Sequence, residues 1–159
     1  MSKKFDIVQI GEVQTNINDS RFKDSEKKVS KLNIVEEFVD ALEKIEEYSH
    51  IIVVYWAHLL DFEERKLRKV NPGGFTRFAE RGVFSSRSQA RPNPLCFTTV
   101  KLLLREENIL YVENLDALNR SPIIDLKPHA PQFDRPCLFE PPIWTYCFRK
   151  MRQNTSLEK

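Results

Sequence analysis

Leu95–Leu115 reads LCFTTVKLLLREENILYVENL, two apolar runs rich in β-branched and aromatic residues on either side of the polar turn Glu106–Asn108. Runs of this composition bounded by turn residues are strands, so the centre of the chain is committed to β-structure. Working outward, His50–His58 (HIIVVYWAH) reads as a strand buried on both faces, and Pro122–Pro128 (PIIDLKP) as a short last strand. Val29–Ile34 reads as a further strand, and Phe5–Thr15 alternates loosely about Gly11, where a glycine inside a strand marks a bulge or a close backbone approach. One helix interrupts the pattern. Val35, Phe38, Val39, Leu42 and Ile45 recur at helical intervals behind Asn33 and Glu36, which have capping-box spacing, and this predicts a helix from about Ile34 to Tyr48. Asp61–Lys69 (DFEERKLRK) balances its charges and reads as an exposed loop or short helix. Six or so strands and one principal α-helix predict a mainly β domain, a small barrel that closes its own edges.

Composition bounds the function classes. The chain has 159 residues, enough for one domain with a core that needs no disulfide or metal staples. The predicted core spans about 5–134, followed by a proline-rich, basic segment over 135–159 with five prolines between Pro128 and Pro142. The longest apolar run, IIVVYWA, is far shorter than a membrane span. The opening MSKKFDIVQIG lacks the apolar stretch of a signal peptide, and Cys96, Cys137 and Cys147 are odd in number without CxxC spacing. These features predict a cytoplasmic protein with free thiols and no metal site. The net charge of +2 says little about partners. Its distribution says more, because Arg77, Arg81, Arg87 and Arg91 face only Glu80, and the segment from Arg149 is again basic. Such stretches are usually solvated surface, and they are also what phosphate-rich ligands require.

No GxGxxG, Walker, HExxH or GxSxG motif is present, so the usual nucleotide, metalloprotease and hydrolase signatures are missing. The polar residues placed at strand ends are His58, Arg87, Arg91, Asn93, Asp116, Asn119, Asp125 and Lys127. Each has an ordinary explanation as a turn former, a satisfied histidine or a surface charge. Arg87 and Arg91 stand out because Pro92 and Pro94 hold the chain after them extended, which stiffens the loop that presents two forked cations.

Those residues carry a resemblance. RGVFSSRSQARPNP (81–94) and LDALNRSPIIDLKP (115–128), with IGEVQT (10–15), YSHIIVVYWAH (48–58) and APQFD (130–134), resemble the TrmO/TsaA-like family of S-adenosylmethionine-dependent tRNA methyltransferases. The resemblance implies a non-Rossmann β-barrel, a homodimer, S-adenosylmethionine as methyl donor without a metal, and as substrate the tRNA anticodon loop. The methylated atom is the exocyclic N6 of threonylcarbamoyladenosine. By motif position, His58, Leu59, Arg87, Phe97, Asp116, Ala117, Leu118 and Asn119 surround the donor, and Asp125 and Lys127 face the acceptor side or brace the loop; Arg91, Asn93 and Lys127 are the candidates for substrate contact, and Asp125 is the candidate to accept the acceptor's proton. Trp56, in a strand, reads as core, and with Trp144 it is an available aromatic for stacking on displaced bases. Departures from the family pattern leave other readings open. Cys96 stands where the family has a glycine beside the donor, and Asn119-Arg120-Ser121-Pro122 replaces Asp-Gly-Thr-Pro. The alternatives are a methyltransferase of the same fold acting on a small molecule or protein, and a donor-binding protein without catalysis.

Overall fold

The computed structural model describes residues 3–18, 28–76 and 78–146. Six strands close into an antiparallel barrel: β1 (Gly11–Gln14), β2 (Val29–Ile34), β3 (His50–Trp56), β6 (Leu95–Glu106), β7 (Ile109–Glu113) and β8 (Pro122–Pro128), in the order β1-β2-β7-β6-β3-β8, with β8 returning to β1. A small separate hairpin pairs β4 (Lys69–Val70) with β5 (Arg81–Gly82). The stretch Leu95–Leu115 holds the barrel together because β6 is long enough to pair with two neighbours. Its first half runs against β3 and its second half against β7, with a register shift between Leu102 and Leu104. Closure leaves no free edge among these strands.

Alternation along each strand fills the interior. Val13, Leu32, Ile51, Val53, Val100, Leu110, Val112 and Ile123 form one buried cluster. The strand β3 is therefore not buried on both faces: Ile51, Val53 and Tyr55 point inward, while Ile52, Val54 and Trp56 are only half-buried on the outside. An antiparallel barrel has one solvent side, and an apolar run cannot reveal that by itself. Trp56 is accordingly a wall residue, covered by the Arg65 guanidinium 5.4 Å from its ring centre. Phe5–Thr15 contributes ladder pairing only over Gly11–Gln14. The glycine there allows a close approach, since a Cβ on Gly11 would lie 2.5 Å from the Asn33 carbonyl oxygen.

The stretch from Ile34 to Tyr48 is not one α-helix. It winds through three 3-10 turns, Glu36–Phe38, Asp40–Leu42 and Ile45–Glu47, each closed by backbone bonds three residues apart. Lys44 adopts a left-handed conformation (φ 63°), which breaks any continuous winding. The apolar spacing did identify the core-facing side: Leu42 is buried, and Phe38 and Ile45 pack against the barrel. The Asn33/Glu36 capping box does not form. Val35 is the residue before the first turn and makes no side-chain cap. A capping box occurs instead at α1 (Phe62–Lys66), where Asp61 accepts from the Glu64 amide and Glu64 accepts from the Asp61 amide. A second short helix, α2 (Pro131–Asp134), follows the barrel. Among the described residues no helix is long and apolar enough to cross a membrane. Most of the polar stretch Asn16–Lys28, Cys147 and the basic segment from Arg149 lie outside the described residues.

Candidate functional site

A cleft of about 370 Å³ opens at one end of the barrel, within the range of small-ligand sites. Three pieces of chain converge there. The end of β3 runs through Tyr55, Ala57 and His58 into Leu59 and Leu60; the connection between β7 and β8 supplies Asp116, Leu118 and Ser121; and Glu64, Gln89 and Asn18 complete the wall.

Tyr55 is the hinge of this arrangement. It is the last inward-facing residue of β3, and its ring belongs to the core while its hydroxyl donates to the Asp116 carbonyl. The same oxygen lies 3.5 Å from Thr98 Oγ1. Burial pushes the Tyr55 hydroxyl up to about 12, with the Thr98 bond opposing the shift. At neutral pH it is a fixed donor that holds the Asp116 backbone against the barrel end. Across the cleft, Ser121 Oγ is buried and lies 3.4 Å from His58 Nδ1. Asn119 ties the same loop to the other side. Its side-chain oxygen accepts from the Thr15 amide at 3.1 Å, and its amide donates to the Ile17 carbonyl at 2.7 Å. Arg120 holds a left-handed conformation (φ 66°) that a glycine adopts without strain, and its amide donates to the Val13 carbonyl.

Four of the eight residues placed around the donor line the cleft: His58, Leu59, Asp116 and Leu118. Ala117 is buried beneath them, and Asn119 braces the loop. Arg87 and Phe97 form a separate stacked pair, with the guanidinium 4.5 Å from the ring centre and Phe97 more than half exposed. Arg87 is exposed and is not among the residues that line the cleft.

Arg91 has a different position from the substrate-facing one expected of it. Its Nε donates to the Ser88 carbonyl at 2.7 Å, and one terminal nitrogen donates to the Ser86 and Val83 carbonyls at 2.8 and 3.2 Å. The guanidinium thus organises its own loop. Asn93 is exposed, and its carbonyl accepts from the Leu95 amide. Asp125 and Lys127 do not line the cleft. Leu126 between them packs on the core, so strand alternation turns both outward. Lys127 Nζ lies 2.7 Å from Asp125 Oδ2, and this partner raises the lysine's pKa; Asp125 Oδ1 accepts from the Leu126 amide. Cys96 likewise points inward, opposite Tyr55, and is not part of the cleft wall; burial pushes its thiol up against the opposing charge of Arg91.

Sequence reading missed Tyr55, Ser121, Gln89, Glu64 and Asn18. Tyr55 was legible as the last inward position of an alternating strand. Gln89 lies inside the quoted arginine motif. Glu64 had only its spacing from Asp61, and nothing local marked Asn18.

Residues 19–135 match the family model described as the tRNA-methyltransferase O N-terminal domain. An S-adenosyl-L-methionine-binding protein from Archaeoglobus fulgidus is 46% identical over 114 residues, spanning 72% of this chain and 76% of that relative. A probable S-adenosyl-L-methionine-binding protein from Methanocaldococcus jannaschii is 42% identical over 106 residues, spanning 66% of this chain and 84% of the relative. Among solved structures, a crystal structure of TrmO aligns with a TM-score of 0.69 at 23% identity, and one of TrmO from Pseudomonas aeruginosa with 0.68 at 22%. They cover 87% and 89% of this chain, which spans only 63% of the length of either; at that identity the likeness is one of fold.

Proposed function

The chain belongs to the tRNA-methyltransferase O family, and from that premise we propose that the cleft binds S-adenosylmethionine for methyl transfer to N6 of threonylcarbamoyladenosine in the tRNA anticodon loop. The observation that carries the reading is convergence. His58 and Leu59 from one segment and Asp116 and Leu118 from another far along the chain, all assigned to the donor by motif, line one cleft.

The residues present suit such a donor. Leu59, Leu60, Leu118 and Ala57 offer apolar surface, and Asp116 and Glu64 are carboxylates able to face an amine and a sulfonium. Arg87 supplies the cation that a carboxylate requires. When bound, the donor supplies an electrophilic methyl group on a positively charged sulfur. The protein's task is then positional. Tyr55 fixes the Asp116 backbone, Asn119 fixes the loop that follows, and Ser121 holds His58, so that three chain segments present a stiff wall. In-line displacement draws most of its acceleration from such alignment. Asp125 is ion-paired with Lys127 on the outer wall, and the carboxylates lining the cleft that this reading offers for the acceptor's proton are Asp116 and Glu64. The homodimer implied by the family belongs to the same proposal, and light scattering at micromolar protein tests it; a monomer counts against it.

The deciding experiment is transfer of labelled methyl from S-adenosylmethionine to bulk tRNA that carries or lacks threonylcarbamoyladenosine, followed by nucleoside analysis. Label confined to the threonylcarbamoylated adenosine is the expected result. Donor binding without label on either tRNA overturns the acceptor assignment and leaves another acceptor or a binding role.

A further inference from the structure

Ser121 ends the connection between β7 and β8, immediately before β8 begins. Its backbone is tied on both sides, since its amide donates to the Leu118 carbonyl at 3.2 Å and its carbonyl accepts from the Val13 amide at 3.0 Å. The side chain is therefore delivered to a fixed place, and the residue is only 2% exposed. A hydroxyl carries a proton of its own, and burial makes a donor without an acceptor costly. Among the described residues the Ser121 hydroxyl has one partner, His58 Nδ1 at 3.4 Å. A proton on Nδ1 would point at the hydroxyl oxygen and leave the buried hydroxyl proton unmatched. The hydroxyl is satisfied when Nδ1 carries a lone pair, and the imidazole proton then sits on Nε2. Among the described residues Nε2 has no partner, and His58 lines the cleft.

We propose that Ser121 is a positioning residue: it holds His58 in the tautomer with its proton on Nε2, so that His58 donates a hydrogen bond to a purine ring nitrogen of S-adenosylmethionine and does not act as the base. The class of acceptor atom follows from what shares the cleft. Asp116 and Glu64 line it, and their charge disfavours a second anion beside them, so the atom that meets Nε2–H is uncharged. Leu59, Leu60 and Leu118 offer apolar surface to the faces of a flat heterocycle, whose ring nitrogens hold their lone pairs in the plane. The proposal rests on the reading above for the identity of the ligand. It removes His58 from the groups that could take the methyl acceptor's proton and leaves the cleft carboxylates for that step.

The test uses the full chain. Ring-nitrogen NMR shifts distinguish the two imidazole tautomers and the cation, and the signals of His58, one of 3 histidines, are assigned by their loss in His58→Gln. The parent is expected to show a single tautomer protonated on Nε2, Ser121→Ala a mixture of forms, and Ser121→Thr the parent pattern, because threonine restores the hydroxyl. Calorimetry reads the consequence with two ligands, S-adenosylmethionine and methylthioadenosine, which keeps the nucleoside and lacks the amino-acid end. Ser121→Ala is expected to weaken both by the same factor, roughly 3- to 10-fold, and Ser121→Thr to recover most of that loss. A parent imidazole protonated on Nδ1, or a tautomer that Ser121→Ala leaves unchanged, overturns the positioning role. So does an equal loss in Ser121→Ala and Ser121→Thr, which marks packing. A loss confined to S-adenosylmethionine puts the contact at the amino-acid end and overturns the purine assignment. The two readings fail separately. If the parent binds both ligands with Nδ1 protonated, the function stands and the proposal fails. If it binds neither while Ser121→Ala scrambles an Nε2-protonated imidazole, the ligand reading fails and the proton placement stands.

Discussion

Tyr55 sits with its ring among core residues and its hydroxyl on the Asp116 carbonyl, so one side chain links the barrel interior to the cleft loop. Tyr55→Phe leaves that carbonyl unpaired. The expected result is a loss of about 1–2 kcal/mol of stability in denaturant unfolding and weaker donor binding in calorimetry. Its pH signature has a definite sign. Burial raises the folded-state pKa to about 12 from the ordinary value of 10.0, so the unfolded chain gives up the proton first as pH climbs. The stability Tyr55 contributes is fully present below about pH 10 and declines toward about pH 12, by at most about 2–3 kcal/mol. Unfolding midpoints measured across that window are expected to fall less steeply in Tyr55→Phe than in the parent. Arg87 is the other decisive single residue. It is exposed and stacked on Phe97, and if it meets the donor carboxylate as proposed, Arg87→Ala is expected to weaken donor binding by about 1–3 kcal/mol. Unchanged calorimetric affinity removes it from the site.

At the scale of elements, the arginine loop turns its two arginines to different surroundings. Arg87 reaches outward, whereas Arg91 donates to three carbonyls of the same loop and keeps its turns in place before Pro92 and Pro94. Arg91→Ala is expected to cost about 2–3 kcal/mol in thermal unfolding, and Arg91→Lys to recover little of it, because an ammonium cannot reproduce a forked donor. The strand β1 has its own requirement at Gly11. A methyl group there meets the Asn33 carbonyl at 2.5 Å and Ile34 Cδ1 at 2.9 Å, one of them backbone that cannot yield cheaply. Gly11→Ala is expected to lower stability by about 2 kcal/mol or more, read from urea midpoints. The sequence marked this glycine correctly as a place of close approach. It marked 34–48 only half correctly, since periodicity reports which side chains face the core, and both helical and 3-10 winding can bring Phe38, Leu42 and Ile45 to one side.

At the scale of the whole molecule, every residue of the buried cluster lies between Val13 and Ile123. A chain ending at Arg135 is therefore expected to retain the barrel, with a melting temperature within a few degrees of the parent and intact donor binding. Collapse of the truncated chain in circular dichroism contradicts that assignment of the core. What the sequence determined by itself was the barrel class, the strands that build it and the motif residues of the cleft, because strand composition, turn chemistry and a long arginine motif are local signals. Strand order and register, the inward turn of Cys96, the outward turn of Asp125 and Lys127, and the presence of Glu64 and Asn18 in the cleft were decided only in three dimensions. The physical reason is register. A strand's two faces are assigned by which neighbours it pairs with, and a shift of one residue exchanges them, so no stretch read alone states which side chains meet.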